Sequence, residues 1–278
     1  MTLQIEPSDS TCGARVTGFD LSGALDTQTI AEIRRIWLKH RVICFPDQFL
    51  SDAALEAFTV KMGGFGEDPF FDPIPGHDHI AAILREADET APLFAENWHS
   101  DWSFLAVPPA GTCLAAIEIP PTGGDTLFAD QIAAFAALPD ERKNHLRSLT
   151  AIHSAKGAYS TDGTYGKSDI GRSMAIRPND SAHQTRTHPL VQTHPETGEE
   201  AIFSCAGYLV GIEGMSDEEG FAFLVDLLAW QSRDEFVYRH VWEPGMVVLW
   251  DNRSVLHKAT GGYEGHRREL HRTTIAAA

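Results

Sequence analysis

The chain has no surplus of basic residues: 22 Lys and Arg stand against 39 Asp and Glu, a formal charge of −17. That balance argues against non-specific binding to nucleic acid or to an anionic membrane surface, both of which need a basic face. Nor is there an apolar run near the roughly 20 residues of a membrane helix. Its four cysteines, Cys12, Cys44, Cys113 and Cys205, form no C-x-x-C pair and read as buried free thiols in a reducing compartment. The first ten residues lack the basic and apolar regions of a secretory leader. Internal repeats and low-complexity tracts are missing too. The expectation is a cytoplasmic protein with a small-molecule partner, and no nucleic acid or membrane partner.

What is present fits one globular domain across residues 1–278. Ile30, Ile33, Trp37 and Leu38 form a helical stripe within Thr27–His40, and Ser51 caps a second helix that Gly63-Gly64 stops near Met62. Strands are expected at Leu3–Pro7, Arg41–Phe45, Trp98–Leu105, Thr112–Ile119, Thr126–Ala129, Phe236–Val241, Met246–Trp250 and Glu269–Ala276. Short helices are expected at Gln131–Ala137 and Asp140–Ser148. A capping box at Ser216–Glu219 opens a further helix with Phe221, Leu224, Val225 and Leu228 on one face. The polar, aperiodic stretch 157–181 reads as an active-site lid, because long structureless loops in compact domains are usually functional. Many short strands with helices at their edges predict a mainly β fold, a sandwich or barrel.

Asn97-Trp98-His99-Ser100-Asp101 carries the first chemistry. On a strand, positions i and i+2 share a face, so His99 and Asp101 can hold one ion. Trp250-Asp251-Asn252-Arg253-Ser254-Val255-Leu256-His257 then leaves a strand and delivers another imidazole. Two histidines and one carboxylate form a facial triad that suits Fe(II) and leaves coordination positions open. His77-Asp78-His79 and His194-Pro195-Glu196 have competing spacing, but they read as a solvated loop and a hairpin tip. Further on, Arg268, Leu270, Arg272 and Thr274 would share one face of a strand. Two arginines on an inward face call for anions, and a planar guanidinium grips a carboxylate bidentately.

In this order, Trp98-His99-Ser100-Asp101, Pro108-Pro109-Ala110-Gly111, Gly123-Gly124-Asp125-Thr126, Thr193–Gly198, Trp250–Arg253 with His257, and Arg268 with Arg272 make the chain resemble the taurine dioxygenase and 2,4-dichlorophenoxyacetate dioxygenase (TauD/TfdA) family. The resemblance runs from about Leu3 to Ile275. It implies a double-stranded β-helix (jelly-roll) core, with Fe(II), 2-oxoglutarate and O₂ as cofactor and co-substrates. It further implies iron ligands at His99, Asp101 and His257. Arg268, helped by Thr126, would take the distal carboxylate of 2-oxoglutarate. Arg272 would lie near the proximal carboxylate or an anionic substrate. The implied reaction is hydroxylation, with C–O or C–S cleavage where the hydroxylated carbon bears aryloxy, sulfate or sulfonate. Dimers and tetramers are common in the family, so a homo-oligomer is expected.

Taurine-specific members carry polar contacts at the positions of Ala95 and near Phe70 and Phe71, which are apolar here. A bulkier, greasier substrate of the aryloxyalkanoate or alkyl sulfonate/sulfate kind is expected, with Phe70, Phe71, Asn97, Trp102, Phe104, Tyr159, Tyr208 and Arg272 as candidate contacts. The competing expectations are a metal-dependent hydrolase or isomerase, and a non-catalytic jelly-roll binding protein.

Overall fold

The computed structural model describes residues 3–167 and 170–277. Thr27–His40 is helical, with Ile33, Ile36 and Trp37 buried on one face, and the Asp26 carboxylate caps it by accepting from Thr29 N. The helix Asp52–Met62 starts at the Ser51 cap and ends at Gly63. Both cover the outer face of a seven-stranded sheet, ordered Gln4–Pro7, Ala14–Thr17, Val42–Phe45, Val247–Asp251, Gly111–Glu118, Arg268–Ile275, Ala81–Arg85. Pairing is antiparallel except between Ala14–Thr17 and Val42–Phe45.

Alternation along these strands sorts the core into two layers. Val247, Leu249, Cys113 and Ala115 pack outward against Trp37 and Phe58 of the helices. Val248, Trp250, Leu114, Ala116 and Leu270 point inward. The inward layer meets a three-stranded sheet ordered Val237–His240, Thr126–Asp130, Val255–Ala259, which contributes Phe128 and Val255 to the same cluster. The Phe128 and Trp250 rings lie 5.5 Å apart, and burying such a side chain contributes roughly 1.5–3 kcal/mol. Two sheets packed face to face in this way form the jelly-roll core. Gly111 lets two layers approach: a Cβ there would come within 2.6 Å of the Trp37 ring and 2.7 Å of the Trp250 carbonyl oxygen.

Outside the core, Thr150–Ser154 pairs with both Leu209–Ile212 and Thr185–Pro189, and Val191–Thr193 pairs with Glu200–Ile202 around the turn at 194–198. The helix Asp217–Gln231 opens with the expected capping box of Ser216 and Glu219. Its expected apolar face is only partly used: Leu227 is buried and Leu224 packs beside it, but Phe221 and Val225 are 71% and 53% exposed. The helix lies at the molecule's margin, so its neighbours cover less of its circumference than its apolar residues do.

Two departures from the sequence expectation shape the site. Trp98–Leu105 is not a strand. His99 alone makes a bridge there, and the chain turns from Asp101 onward, with Trp102 at φ 53°. The 157–181 segment holds the short helix Thr164–Lys167 and overlaps the helix Lys156–Tyr159 at its start and the 3₁₀ turn Asp180–His183 at its end. Its residues Ser168 and Asp169 lie outside the described residues.

Candidate active site

His99 and His257 face each other across an antiparallel bridge. Each backbone N–H donates to the other's carbonyl, at 3.0 and 2.8 Å, and the ring centroids are 4.1 Å apart. Asp101 Oδ1 lies 3.6 Å from His99 Nε2 and 3.7 Å from His257 Nε2. The three potential ligand atoms fall within 4.8 Å of one another, and all three residues are buried. His99 and Asp101 therefore converge as expected, but through a bridge followed by a turn, not through the pleat of one strand.

Hydrogen bonds fix the groups that meet here. His99 Nδ1 donates to the Asn97 carbonyl at 2.8 Å, which turns the Nε2 lone pair toward the site. Asp101 Oδ2 accepts from the Thr112 hydroxyl at 2.6 Å. Thr112 accepts from Asn252 Nδ2, and Asn252 Oδ1 accepts from Trp250 Nε1, both at 2.9 Å. Ser100 donates to the Asn252 carbonyl at 2.7 Å. One loop thus delivers His257 and braces Asp101, which explains the Trp250–Asn252 motif in physical terms. Burial holds the His257 imidazole neutral, with its pKa down at about 3. Burial alone would raise the Asp101 carboxyl; the nearby Arg272 charge and the Thr112 hydroxyl work against burial, and the group stays below its ordinary value. Two imidazoles and a charged carboxylate form a donor set suited to a borderline divalent ion.

A cavity opens from the triad, walled by Thr126, Trp250, Arg268, Leu270 and Arg272. The two arginines project from one face of Arg268–Ile275, as the sequence predicts, but their surroundings differ. Arg268 is 6% exposed; Nη2 donates to the Gly124 carbonyl at 3.0 Å, and its guanidinium lies over the Trp242 and Tyr263 rings at 5.9 and 5.8 Å. Among the described residues it makes no ion pair, Nε has no hydrogen-bond partner, and burial lowers its pKa. Thr126 Oγ1 accepts from Trp242 Nε1 at 3.0 Å, which leaves its own proton for a group in the cavity. Gly124, at φ 71°, makes room for the guanidinium: a Cβ there would lie 2.9 Å from Arg268 Nε. Arg272 instead donates to Asp68 Oδ2 at 2.6 Å, with its guanidinium 4.4 and 5.1 Å from the Phe71 and Trp102 ring centroids. Sequence reasoning missed Asp68, because a carboxylate in a Gly/Pro/Asp loop has no periodic signature.

Phe94, Ala95, His99 and Arg172 are shared with a second cavity of about 200 Å³, which also takes in Asn97, Tyr159, Tyr165 and Tyr208. Three expected substrate contacts, Asn97, Tyr159 and Tyr208, therefore do line space beside the triad. Phe70, Phe71, Trp102 and Phe104 line neither cavity. They pack on one another behind Tyr159, with Phe70 stacked on it at 4.7 Å, so the expectation of direct contact is corrected to support of the wall. Large aromatic side chains in a loop next to a site satisfy each other before they satisfy a ligand.

Residues 4–274 match the family model described as taurine catabolism dioxygenase TauD, TfdA family. The chain belongs to the TauD/TfdA family. It is 33% identical to an alpha-ketoglutarate-dependent 2,4-dichlorophenoxyacetate dioxygenase from Cupriavidus pinatubonensis, covering 99% of this chain and 98% of that one. It is 31% identical to an (S)-phenoxypropionate/alpha-ketoglutarate-dioxygenase from Sphingobium herbicidovorans, over 98% of this chain and 94% of the relative. A crystal structure of AAD-2 in complex with Mn(II) and N-oxalylglycine superposes with a TM-score of 0.79 at 28% identity, covering all of this chain and 98% of the other.

TauD/TfdA enzymes are oxidoreductases that depend on Fe(II), 2-oxoglutarate (alpha-ketoglutarate) and O₂, and the chain is a dioxygenase of this kind. Its residues fit that requirement. The triad offers two imidazole nitrogens and a carboxylate oxygen to one ion. Arg268 in the same cavity, with no ion pair among the described residues and Nε without a hydrogen-bond partner, is suited to a carboxylate. No helix among the described residues is long and apolar enough to cross a membrane.

Proposed function

We propose that this dioxygenase hydroxylates a small organic monoanion with an apolar body, an aryloxyalkanoate-like acid or an alkyl sulfate or sulfonate. In this reading His99, Asp101 and His257 hold Fe(II), and Arg268 with the Thr126 hydroxyl receives the distal carboxylate of 2-oxoglutarate. The observation that carries it is Arg268, a buried guanidinium without a carboxylate partner among the described residues, lining the cavity of a His/Asp/His triad. Such a cation is costly to bury unless an anion meets it.

When bound, Fe(II) would let O₂ act as the oxidant with 2-oxoglutarate as co-substrate: one oxygen atom converts a substrate C–H to C–OH, and the other enters succinate as 2-oxoglutarate loses CO₂. The protein's own part is positional. Leu114, Leu270 and Trp250 keep the cavity wall apolar, and Tyr159 and Tyr208 form the adjoining wall. Burial raises both tyrosine pKa values, so these hydroxyls stay protonated and can donate to a substrate oxygen. The 157–181 segment, which contributes Tyr159, Tyr165 and Arg172 to this wall, acts as the lid. A hydroxyl installed on a carbon that bears aryloxy or sulfate oxygen leaves a hemiacetal-type centre, which collapses to a carbonyl with C–O cleavage. The relatives named for phenoxy acids support this direction.

The test is a panel of aryloxyalkanoates, alkyl sulfates, sulfonates and neutral analogues, offered with Fe(II) and 2-oxoglutarate and read as succinate. Anionic members with an apolar body should raise succinate well above the substrate-free rate. A response confined to neutral or zwitterionic compounds would overturn the substrate class but leave the reaction class standing.

A further inference from the structure

We propose that Trp242 is the positioning residue for both groups that receive the distal carboxylate of 2-oxoglutarate: its indole N–H aims the Thr126 hydroxyl, and its ring supports the Arg268 guanidinium. The inference rests on the co-substrate reading above, in which Arg268 and Thr126 meet that carboxylate. Trp242 is buried and stands outside the cavity wall, so it acts from behind the two groups and not on the ligand. It lies just beyond the strand Val237–His240, whose register sets His240 opposite Thr126.

Each contact has one direction. An indole nitrogen is a donor only, and Trp242 Nε1 donates to Thr126 Oγ1 at 3.0 Å. With that N–H on its oxygen, the hydroxyl's single proton turns away from Trp242. No acceptor among the described residues takes this proton, and Thr126 lines the cavity. The guanidinium carbon of Arg268 lies 5.9 Å from the Trp242 ring centroid and 5.8 Å from that of Tyr263. Such aromatic faces stabilise a cation that burial has stripped of water. Asp125, the acid beside Thr126, is engaged elsewhere: its Oδ2 lies 2.6 Å from Arg239 Nη2.

Trp242 is itself fixed. The His240 ring meets it edge-on, with centroids 4.8 Å apart and planes at 89°, and Met246 and Val248 belong to the same buried cluster. The two groups it serves come from different layers: Thr126 opens a strand of the three-stranded sheet, and Arg268 opens a strand of the seven-stranded one. The indole therefore ties the two sheets together at the end of the cavity away from the triad's bridge. Without it the hydroxyl and the guanidinium would be aimed independently, and an arriving carboxylate would have to order both.

The experiment is an anaerobic titration of the Fe(II)-loaded enzyme, read from the metal-to-ligand absorbance band. The ligands are 2-oxoglutarate and 2-oxopentanoate, which keeps the keto-acid end and lacks the distal carboxylate. The variants are Trp242→Phe and Trp242→benzothienylalanine, each alone and combined with Thr126→Val. The benzothienyl isostere keeps the bicyclic shape and deletes only the N–H, so it decides the matter even where Trp242→Phe fails to fold. Losing this hydrogen bond should weaken 2-oxoglutarate about fivefold. Trp242→Phe should weaken it further, because the ring beside Arg268 also shrinks, and 2-oxopentanoate should bind as it does to wild type. In the Thr126→Val background the isostere should have no further effect, since the two changes remove one interaction. Equal weakening of both keto acids would show a general packing role and overturn the proposal. So would an undiminished 2-oxoglutarate affinity, or a full fivefold loss on top of Thr126→Val. A wild-type enzyme that binds the two keto acids equally well would remove the co-substrate reading itself, whatever the Trp242 variants do.

Discussion

At one end of the cavity, His99 and His257 are set by two backbone hydrogen bonds and Asp101 by a chain of short side-chain bonds. At the other, Arg268, Arg272 and Arg172 reach in on long flexible stems and are held by carbonyls, rings and carboxylates. The metal end is thus positioned by main-chain register, the anion end by neighbours that can be exchanged one at a time. A ligand fixed by register has no substitute when lost. A guanidinium held by neighbours can be retuned by changing them, which suits a site whose metal chemistry is constant across a family and whose substrates are not.

The largest expected effect breaks the metal end. Asp101→Ala should remove the absorbance band formed by Fe(II) and 2-oxoglutarate without oxygen and lower substrate-driven succinate formation about a thousandfold, several kcal/mol in the barrier. Retained activity would mean that the triad is not the metal site. Arg268→Gln attacks the other end: 2-oxoglutarate should bind about thirty- to a hundredfold more weakly, the value of a charged hydrogen bond, while Fe(II) affinity changes little. An unchanged co-substrate affinity would contradict the role given to this guanidinium. Thr112→Val tests whether the brace behind Asp101 matters without touching a ligand, and about tenfold in metal affinity is expected.

The smallest effect sharpens the comparison with histidines outside the site. His153 and His240 are buried without a carboxylate partner among the described residues, and burial pushes each pKa down to about 3. The unfolded chain, with histidine near the ordinary value of about 6.5, takes up protons that the fold refuses. Stability is therefore full above that pH and lost as pH falls toward 3, by up to about 1.4 kcal/mol per histidine for each pH unit. Urea midpoints measured from pH 7.5 to 5 should fall more steeply for wild type than for His153→Asn; parallel curves would sink the attribution.

The strongest sequence signals lay where one side chain had one physical reason to be where it was. The caps at Ser51 and Ser216, the helical stripe of Ile33 and Trp37, and the alternating inward face of Arg268–Ile275 could be read from local spacing alone. The triad residues were nameable, but the geometry joining them was not, because the His99 bridge depends on a strand far away in sequence. The arginine partners lay deeper still. Asp68 and Glu89 sit in loops, where no periodicity marks a carboxylate as buried, and only tertiary contact distinguishes them from the chain's other acids. Phe70, Phe71 and Trp102 show the converse error: their chemistry suited a pocket wall, and mutual packing withdrew them from it.

The strand Arg268–Ile275 comes later in the chain than every other described strand, yet it lies inside the sheet, between Gly111–Glu118 and Ala81–Arg85. Ala81–Arg85 pairs with no other described strand, so during synthesis on the ribosome it waits, unpaired, for nearly two hundred further residues. Arg268, proposed to receive the co-substrate, arrives with that same late strand. A nascent chain would thus hold His99, Asp101 and His257 before the guanidinium that shares their cavity, and premature release would leave an open β-edge that invites aggregation.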